Sequence, residues 1–410
     1  MIEKAYTHGT NFQKCLFVEE FYGNEFALFK APASRKLADV IKLNEEKREQ
    51  ILKNIMEVIN VLLTKGLIYL SISHHVLKEF FANGTPDLIR EMTTFLAPEM
   101  IHTVRSKFGA QAAAQCAGYA TAKERKIIIK SLKGSVVPIC QEPSGHMVIV
   151  KLLSVTDDTV LLSKAIVKEM LDGADLLVTD GNGRLPFLHV LAPEGNLTRY
   201  FAPSSMELLA PNTLPDASNE PVSTSKKDFE TRRQELLSVM GAEILAYCAK
   251  SVKKMISDKF GFAVLLEALM NVPNCDKGRV VNEIKRLIKR PGDEEDHVMS
   301  DPVASRLIKT LVATDFKYQD LEEGLLLPLP PFLVTNRAPE NVSFAEAVAE
   351  SLEGEFLRWA STDYASAVIL ALLKNPTTSS TLLKGLKPHR KALEKAKETR
   401  GTAAILEVLQ

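Results

Sequence analysis

Residues Lys107–Tyr119 read "KFGAQAAAQCAGY". The stretch opens on an aromatic–glycine pair and runs on through small residues and two glutamines, Gln111 and Gln115. It is far short of the roughly 20 apolar residues that a membrane helix needs. Small side chains at helical spacing instead suit a helix that approaches its neighbours closely. The same form recurs along the chain. "SISHHVLKEFF" aligns through Ser73, "PSGHMVIVKLLS" through Gly145 and "GNGRLPFLHVLAP" through Gly183, so the anchors 73, 109, 145 and 183 stand 36, 36 and 38 residues apart. "KFGFAVLLEALMN" follows with Gly261, 78 residues on, about two units with an insertion. "DPVASRLIKTLV" and "TDYASAVILALLK" extend the series through Ala304 and Ala365, and "FYGNEFALFK" begins it through Gly23.

A period of this size marks an α-solenoid, in which each unit is a helix pair that buries its apolar face only by stacking on the next. The expected fold is therefore all-α, a curved superhelix with one long concave surface. Helical periodicity supports this outside the anchors. In residues 44–63, Ile51, Ile55, Val58, Ile59 and Leu62 fall on one stripe, as an amphipathic helix requires. Breaks fall at "ANGTPD", "LAPEG", "NVPNCDKG", "RPGDEED" and "LKNPTTSS", where Gly, Pro and Asn end helices. Two longer stretches read as irregular, the polar Pro-containing loop 210–227 and residues 328–343. The expected organisation is repeats over 1–209, the loop over 210–227 and further helical repeats over 228–410.

The bulk numbers narrow the classes. The chain has 410 residues, with 51 Lys+Arg against 51 Asp+Glu, so the net charge is zero and any nucleic-acid surface must come from local arrangement. Five cysteines without a CxxC argue against a disulfide framework or zinc site and fit a reducing compartment. No signal-peptide pattern opens the sequence and no long apolar run interrupts it, so a soluble intracellular protein without membrane attachment is expected.

The C-terminal half carries the most specific resemblance. "SKKDFETRRQELLSVMGAEILAYC", "DKFGFAVLLEALM", "FLRWASTDYASAVILALL" and "LEKAKETRGTAAILEVL" resemble, in order, the Puf-A group of nucleolar pumilio-like (PUF repeat) proteins. "MIEKAYTHGTNFQKCLFVEEFYGNEFALFK" and "ISHHVLKEFF" are similar to that group as well. The resemblance implies a pumilio-type array bent into an L-like shape and RNA or DNA binding with little sequence preference. It also implies nucleolar residence and a role in large-subunit (60S) ribosome biogenesis and rRNA processing. Against that pattern the chain opens inside a repeat, "MIEKAYTHG", so an N-terminally incomplete form is expected.

In pumilio-type repeats, positions one, two and five after the anchor offer edge-reading and stacking side chains. Here they hold Ala110, Gln111 and Ala114; His146, Met147 and Val150; Arg184, Leu185 and Leu188; and Phe262, Ala263 and Leu266. Base-edge readout needs paired donors and acceptors, and most of these supply none, so a one-repeat, one-base code is not expected. Asn24 with Glu25, and Ser305 with Arg306, come nearest to code-like pairs, with Leu28 and Lys309 at the third positions. Backbone holding remains open to His74, His75, Lys78, Gln111, His146, Arg184, Ser305, Arg306 and Lys309. The expected partners are RNA, foremost pre-rRNA with mRNA or DNA as alternatives, and proteins of the pre-60S particle; a monomer is expected.

Further basic clusters lie at 225–233, Lys253–Lys254, "KRLIKR" and 381–400. Each suits either an RNA contact or a solvated helix face. "PGDEED" lacks the spaced ligands of a calcium loop. His75 and Glu79 lack a third metal ligand, and no dinucleotide, P-loop or nucleophile-elbow motif is present, so neither catalysis nor a cofactor is expected. Trp359, the sole tryptophan, reads as a core residue. Two alternatives stay beside the RNA reading: a protein-interaction scaffold without RNA binding, suggested by neutral charge and apolar inner positions, and a translational regulator of mRNA.

Overall fold

The computed structural model describes residues 2–23, 36–216, 218–290, 297–314, 316–319, 341–396 and 399–409. The chain divides into two compact units, Met1–Leu236 and Leu237–Gln410. Both are built from helix pairs, the architecture that the repeat spacing implies. None of the described helices is long and apolar enough to cross a membrane.

In the first unit the anchored helices are Ser71–Asn83, Lys107–Tyr119, His146–Val155 and Arg184–Leu191, each packed on the next. The quoted stretch is buried on nearly every side: Ala110, Ala112, Ala113, Ala114, Cys116 and Ala117 are all within 1% of complete burial. The anchors need glycine for one recurring reason. A Cβ on Gly109, Gly145 or Gly183 would lie 2.1, 2.8 or 3.0 Å from the carbonyl oxygen of Thr103, Ile139 or Leu177. Each carbonyl belongs to the residue six positions upstream, where the chain turns into the helix. At Ser73 the anchor instead bonds that carbonyl, donating its Oγ–H to Leu67 O at 3.2 Å.

The turn is held by a side-chain oxygen three residues before the anchor, which is the helix N-cap at Ser106 and Asp301. Ser106 accepts from Gly109 N at 3.0 Å, Asp180 from Gly183 N at 2.7 Å, Asp258 from Gly261 N at 2.7 Å and Asp301 from Ala304 N at 2.7 Å. Each satisfies an N–H that the first helical turn leaves without a partner.

The outer helix Arg48–Thr64 buries Ile51, Leu52, Ile55, Met56 and Ile59, while Val58 and Leu62 are half-buried. The stripe is thus rotated from the expected one toward Leu52 and Met56.

Residues 203–227 form a strap rather than a free loop. A helix, Pro203–Leu209, leads into an antiparallel hairpin pairing Thr213–Pro215 with Pro221–Ser223. Buried side chains of the repeats pin it. Lys151 donates Nζ–H bonds to the Leu208 and Ala210 carbonyls at 2.9 and 2.7 Å. Asn212 donates to Gln115 Oε1 at 2.8 Å, and a Cβ on Gly118 would lie 2.0 Å from Asn212 Oδ1. Asp157 accepts from the Lys226 and Lys227 amides, both at 3.0 Å, from Ser225 Oγ and from Arg232. Burial alone would raise the Asp157 carboxyl, but these donors hold it down at about 2.

Arg125, 2% exposed, places all five N–H donors. Nε reaches Ala117 O, Nη1 reaches Val155 O and Thr224 O, and Nη2 reaches Gly118 O and Thr224 Oγ1, at 2.7 to 3.2 Å.

Burial, with the Arg125 charge nearby, pushes Lys151 down to about 7. The unfolded chain keeps an ordinary lysine near 10.4. Between these values the unfolded state holds one proton more than the folded state, so stability rises with pH across that window. The first unit should gain about 1 kcal/mol between pH 7 and pH 8 from this group. Urea unfolding at the two pH values should show the gain in the parent chain and lose it in Lys151→Met; an equal rise in both would refute the assignment.

The second unit carries the helices Gly261–Asn271, Pro302–Ala313, Ala365–Lys374 and Arg400–Val408, with outer partners such as Gly278–Lys289 and Phe344–Ser351. Gly401 anchors the last of them, since a Cβ there would lie 2.0 Å from Ser366 Oγ. Trp359 is fully buried, stacked on His297 with centroids 4.4 Å apart and donating to Glu355 Oε2 at 2.9 Å. A short ladder pairs Lys317–Gln319 with Asn341–Ser343. "PGDEED" and most of the irregular stretch 328–343 lie outside the described residues.

Candidate nucleic-acid interface

The expected binding residues separate into those the fold consumes and those it presents. His74 is buried, its Nδ1 2.7 Å from Ser106 Oγ, and burial lowers its pKa. His75 stacks on Phe108 at 4.2 Å and bonds Tyr6 OH through Nδ1 at 2.8 Å. Burial pushes it down to about 4, so it is neutral at physiological pH. His146 is buried and donates Nδ1–H to Glu142 O at 3.0 Å; burial again lowers its pKa. Ser305 is buried and donates to Met299 O at 2.6 Å. These four were expected to face a phosphate backbone. They are instead buried: His74 and His75 against side chains of neighbouring helices, and His146 and Ser305 against carbonyls of the turn that precedes their own helix. Arg184 is half-buried and donates Nη1–H to Gly181 O.

Lys78, Gln111, Arg306 and Lys309 remain presented. In the first unit, Lys78 and Gln111 come together with Gln115, Ser204 and Glu207 around a hollow of about 240 Å³. Lys78 donates to Glu79 Oε1 at 2.6 Å, which offsets its charge. Gln111 Oε1 is buried without a hydrogen-bond partner.

In the second unit, Arg306 and Lys309 are exposed on one helix, and the Arg306 guanidinium lies 5.9 Å from the centroid of the half-exposed Phe262 ring on the preceding inner helix. Lys259 sits 4.6 Å from the Phe260 ring at the start of that same helix. Interleaved rings and cations of this kind hold bases by stacking and phosphates by charge, with no edge readout. In the sequence Phe262 reads as an apolar position; the signal for stacking is an aromatic directly after the anchor. Asn24, Glu25 and Leu28 lie outside the described residues.

The cluster at 225–233 is also divided. Arg232 donates to Thr156 O at 3.1 Å and Lys227 O at 2.8 Å, Arg233 to Leu191 O at 2.8 Å, and both are buried. Only Lys226 among its cations is fully exposed.

The CPL (NUC119) domain model matches residues 179–323. The "Pumilio homology domain family member 6" of Schizosaccharomyces pombe is 27% identical over 412 residues, covering 100% of this chain and 61% of the relative. Human "Pumilio homolog 3" is 27% identical over 408 residues, covering 97% and 59%. The chain is thus similar to Pumilio-homology proteins along nearly its whole length. It spans about three fifths of the length of those curated relatives. The fold is similar to the crystal structure of human Puf-A, with a TM-score of 0.81 and 24% identity over 100% of this chain and 75% of that one. Human Puf-A in complex with DNA matches with a TM-score of 0.80 at 24% identity, covering 99% and 75%.

Proposed function

We propose that this Pumilio-homology protein binds RNA with little sequence preference and acts in nucleolar maturation of the large ribosomal subunit. The observation that carries the reading is the cluster of exposed Arg306 and Lys309 with half-exposed Phe262, at inner-helix positions of two successive repeats. The mostly apolar or internally bonded residues at the other reading positions support a backbone-and-stacking mode over a base code. The DNA complex of human Puf-A lends support to a nucleic-acid ligand. The family relationship supports pre-rRNA as the target and pre-60S proteins as neighbours, with the chain acting as a monomer.

Replacing Arg306 and Lys309 together with Glu should weaken binding to structured RNA about tenfold or more at moderate salt. It should also flatten the salt dependence by about two phosphate contacts. Unchanged affinity at low salt would sink the reading, and a random-pool selection returning a sharp motif would favour the mRNA-regulator alternative. Co-sedimentation of the tagged protein with large-subunit precursors tests the ribosomal part; its absence from those fractions and from the nucleolus would count against it.

A further inference from the structure

The strap lies on the inner face of the first unit. Gln115 and Lys151 each stand six residues after their anchors, Gly109 and Gly145. That place is next to reading position five and about one helical turn beyond position two, so it belongs to the same face. The strap takes up both residues with its own groups. Its helix, Pro203–Leu209, packs on Lys107–Tyr119 and on His146–Val155. Asn212 donates to Gln115, and Lys151 donates to the Leu208 and Ala210 carbonyls. Ser204, Glu207 and Leu208 wall the hollow that Lys78 and Gln111 share. Further along, Arg90 donates to Pro215 O at 3.0 Å.

The strap is also charged like a nucleic acid. Residues 203–225 hold Glu207, Asp216 and Glu220 and no lysine or arginine. All three carboxylates are exposed. They set a negative field where a phosphate backbone needs cations.

The hold on this segment is uneven. Its ends are fixed, by buried Phe201 on one side and by the bonds of Arg125, Asp157 and Arg232 to residues 224–227 on the other. Between them, among the described residues of 203–223, only Leu209 and Asn212 are buried. A void of about 590 Å³ lies between this part of the strap and the ends of the inner helices. Few buried side chains and an unfilled void leave little packing to lose, so this segment opens well before the unit unfolds.

We propose that residues 203–223 are a built-in cover that closes the inner face of the first unit to nucleic acid, and that a single strand binds there only when the cover lifts and gives up Lys151 and Gln115. The proposal rests on the nucleic-acid reading above and adds a closed state to it. With the cover down, the cluster around Arg306 is the site that takes the ligand.

The test uses the full chain with Arg306→Glu and Lys309→Glu, which removes that second site, and follows a labelled oligouridylate by fluorescence anisotropy. Leu209→Ala with Asn212→Ala, added to this background, takes away the two buried side chains of the cover. Hydrogen exchange over 203–223 should become faster while peptides covering 117–125 stay unchanged. Oligouridylate should bind about fivefold tighter or better, because apparent affinity scales with the open fraction. Adding Lys151→Met should cancel the gain. Faster exchange over 203–223 without a gain in affinity overturns the cover, and so does a gain that survives Lys151→Met. Unchanged exchange also overturns it, since the segment would then not be lightly held. Each reading is a difference within one background, so it stands apart from whether Arg306→Glu and Lys309→Glu weaken RNA binding, which tests the proposed function.

Discussion

Arg125→Leu should destabilise the first unit by about 3–5 kcal/mol, the cost typical of removing one member of a buried polar cluster. The guanidinium is buried and meets four carbonyls and one hydroxyl with its five donors. Ala117 and Gly118 contribute carbonyls from the last turn of Lys107–Tyr119, and Val155 from the end of His146–Val155. Terminal carbonyls of a helix lack intrahelical partners. Arg125 thus closes two inner helices and ties both to Thr224 of the strap. Leucine matches some of the volume but leaves the Ala117 and Val155 carbonyls without this donor, while Gly118 O keeps its bond from Thr224 Oγ1; each unpaired buried acceptor costs about 1–3 kcal/mol before relaxation. Arg125→Lys offers three donors and a different geometry, so it should recover only part of the loss. Urea unfolding, with hydrogen exchange read on peptides covering 117–125 and 213–224, measures both. A loss under about 1 kcal/mol would show that water reaches these carbonyls and that the clamp is dispensable.

Arg125 also shows where the sequence stops being readable. The repeat was legible because its cause is local. The carbonyl over each anchor comes from six residues upstream and the side-chain acceptor of the anchor amide from three, so both leave a trace at fixed spacing. The strap was not legible. "APNTLPDASNEPVSTSKK" has the composition of a loop, and what makes it a strap lies far away: Lys151 for Ala210, Arg125 for Thr224, Asp157 for Lys226. No local pattern marks a lysine or arginine that will point inward. The two histidines of the first unit's candidate set were hidden for the same reason in the other direction. His74 and His75 sit at positions that reach toward a ligand in the resembled family, yet Ser106, Tyr6 and Phe108 take them up. For His74 the neighbour is glycine, and a Cβ on Gly109 would lie 2.9 Å from its ring. The small residues at 110 and 112–114 draw the adjoining helices in until that face is covered. Arg306 and Lys309 stay exposed in the second unit.

Gly109→Ala should destabilise the first unit by about 2–3 kcal/mol, although alanine is the better helix former by about 1 kcal/mol. The opposing term is steric. The new methyl would lie 2.1 Å from the Thr103 carbonyl oxygen and 2.9 Å from the His74 ring. The first of these is backbone, so no rotamer relieves it. Thr103 is itself buried and its hydroxyl is bonded to Met100 O at 2.8 Å, which ties the turn down. Moving it also strains the Ser106 bonds to Gly109 N and His74 that set the start of the helix. Gly195→Ala is the matched control, because nothing lies within 4 Å of a Cβ there and its backbone is ordinary. That change should alter stability by no more than about 0.5 kcal/mol. Urea midpoints of the two variants, with hydrogen exchange on the Lys107–Tyr119 helix, decide the matter. If Gly109→Ala proved neutral or stabilising, the glycine would be serving only flexibility, and the close approach that generates the repeat period would lose its physical cause.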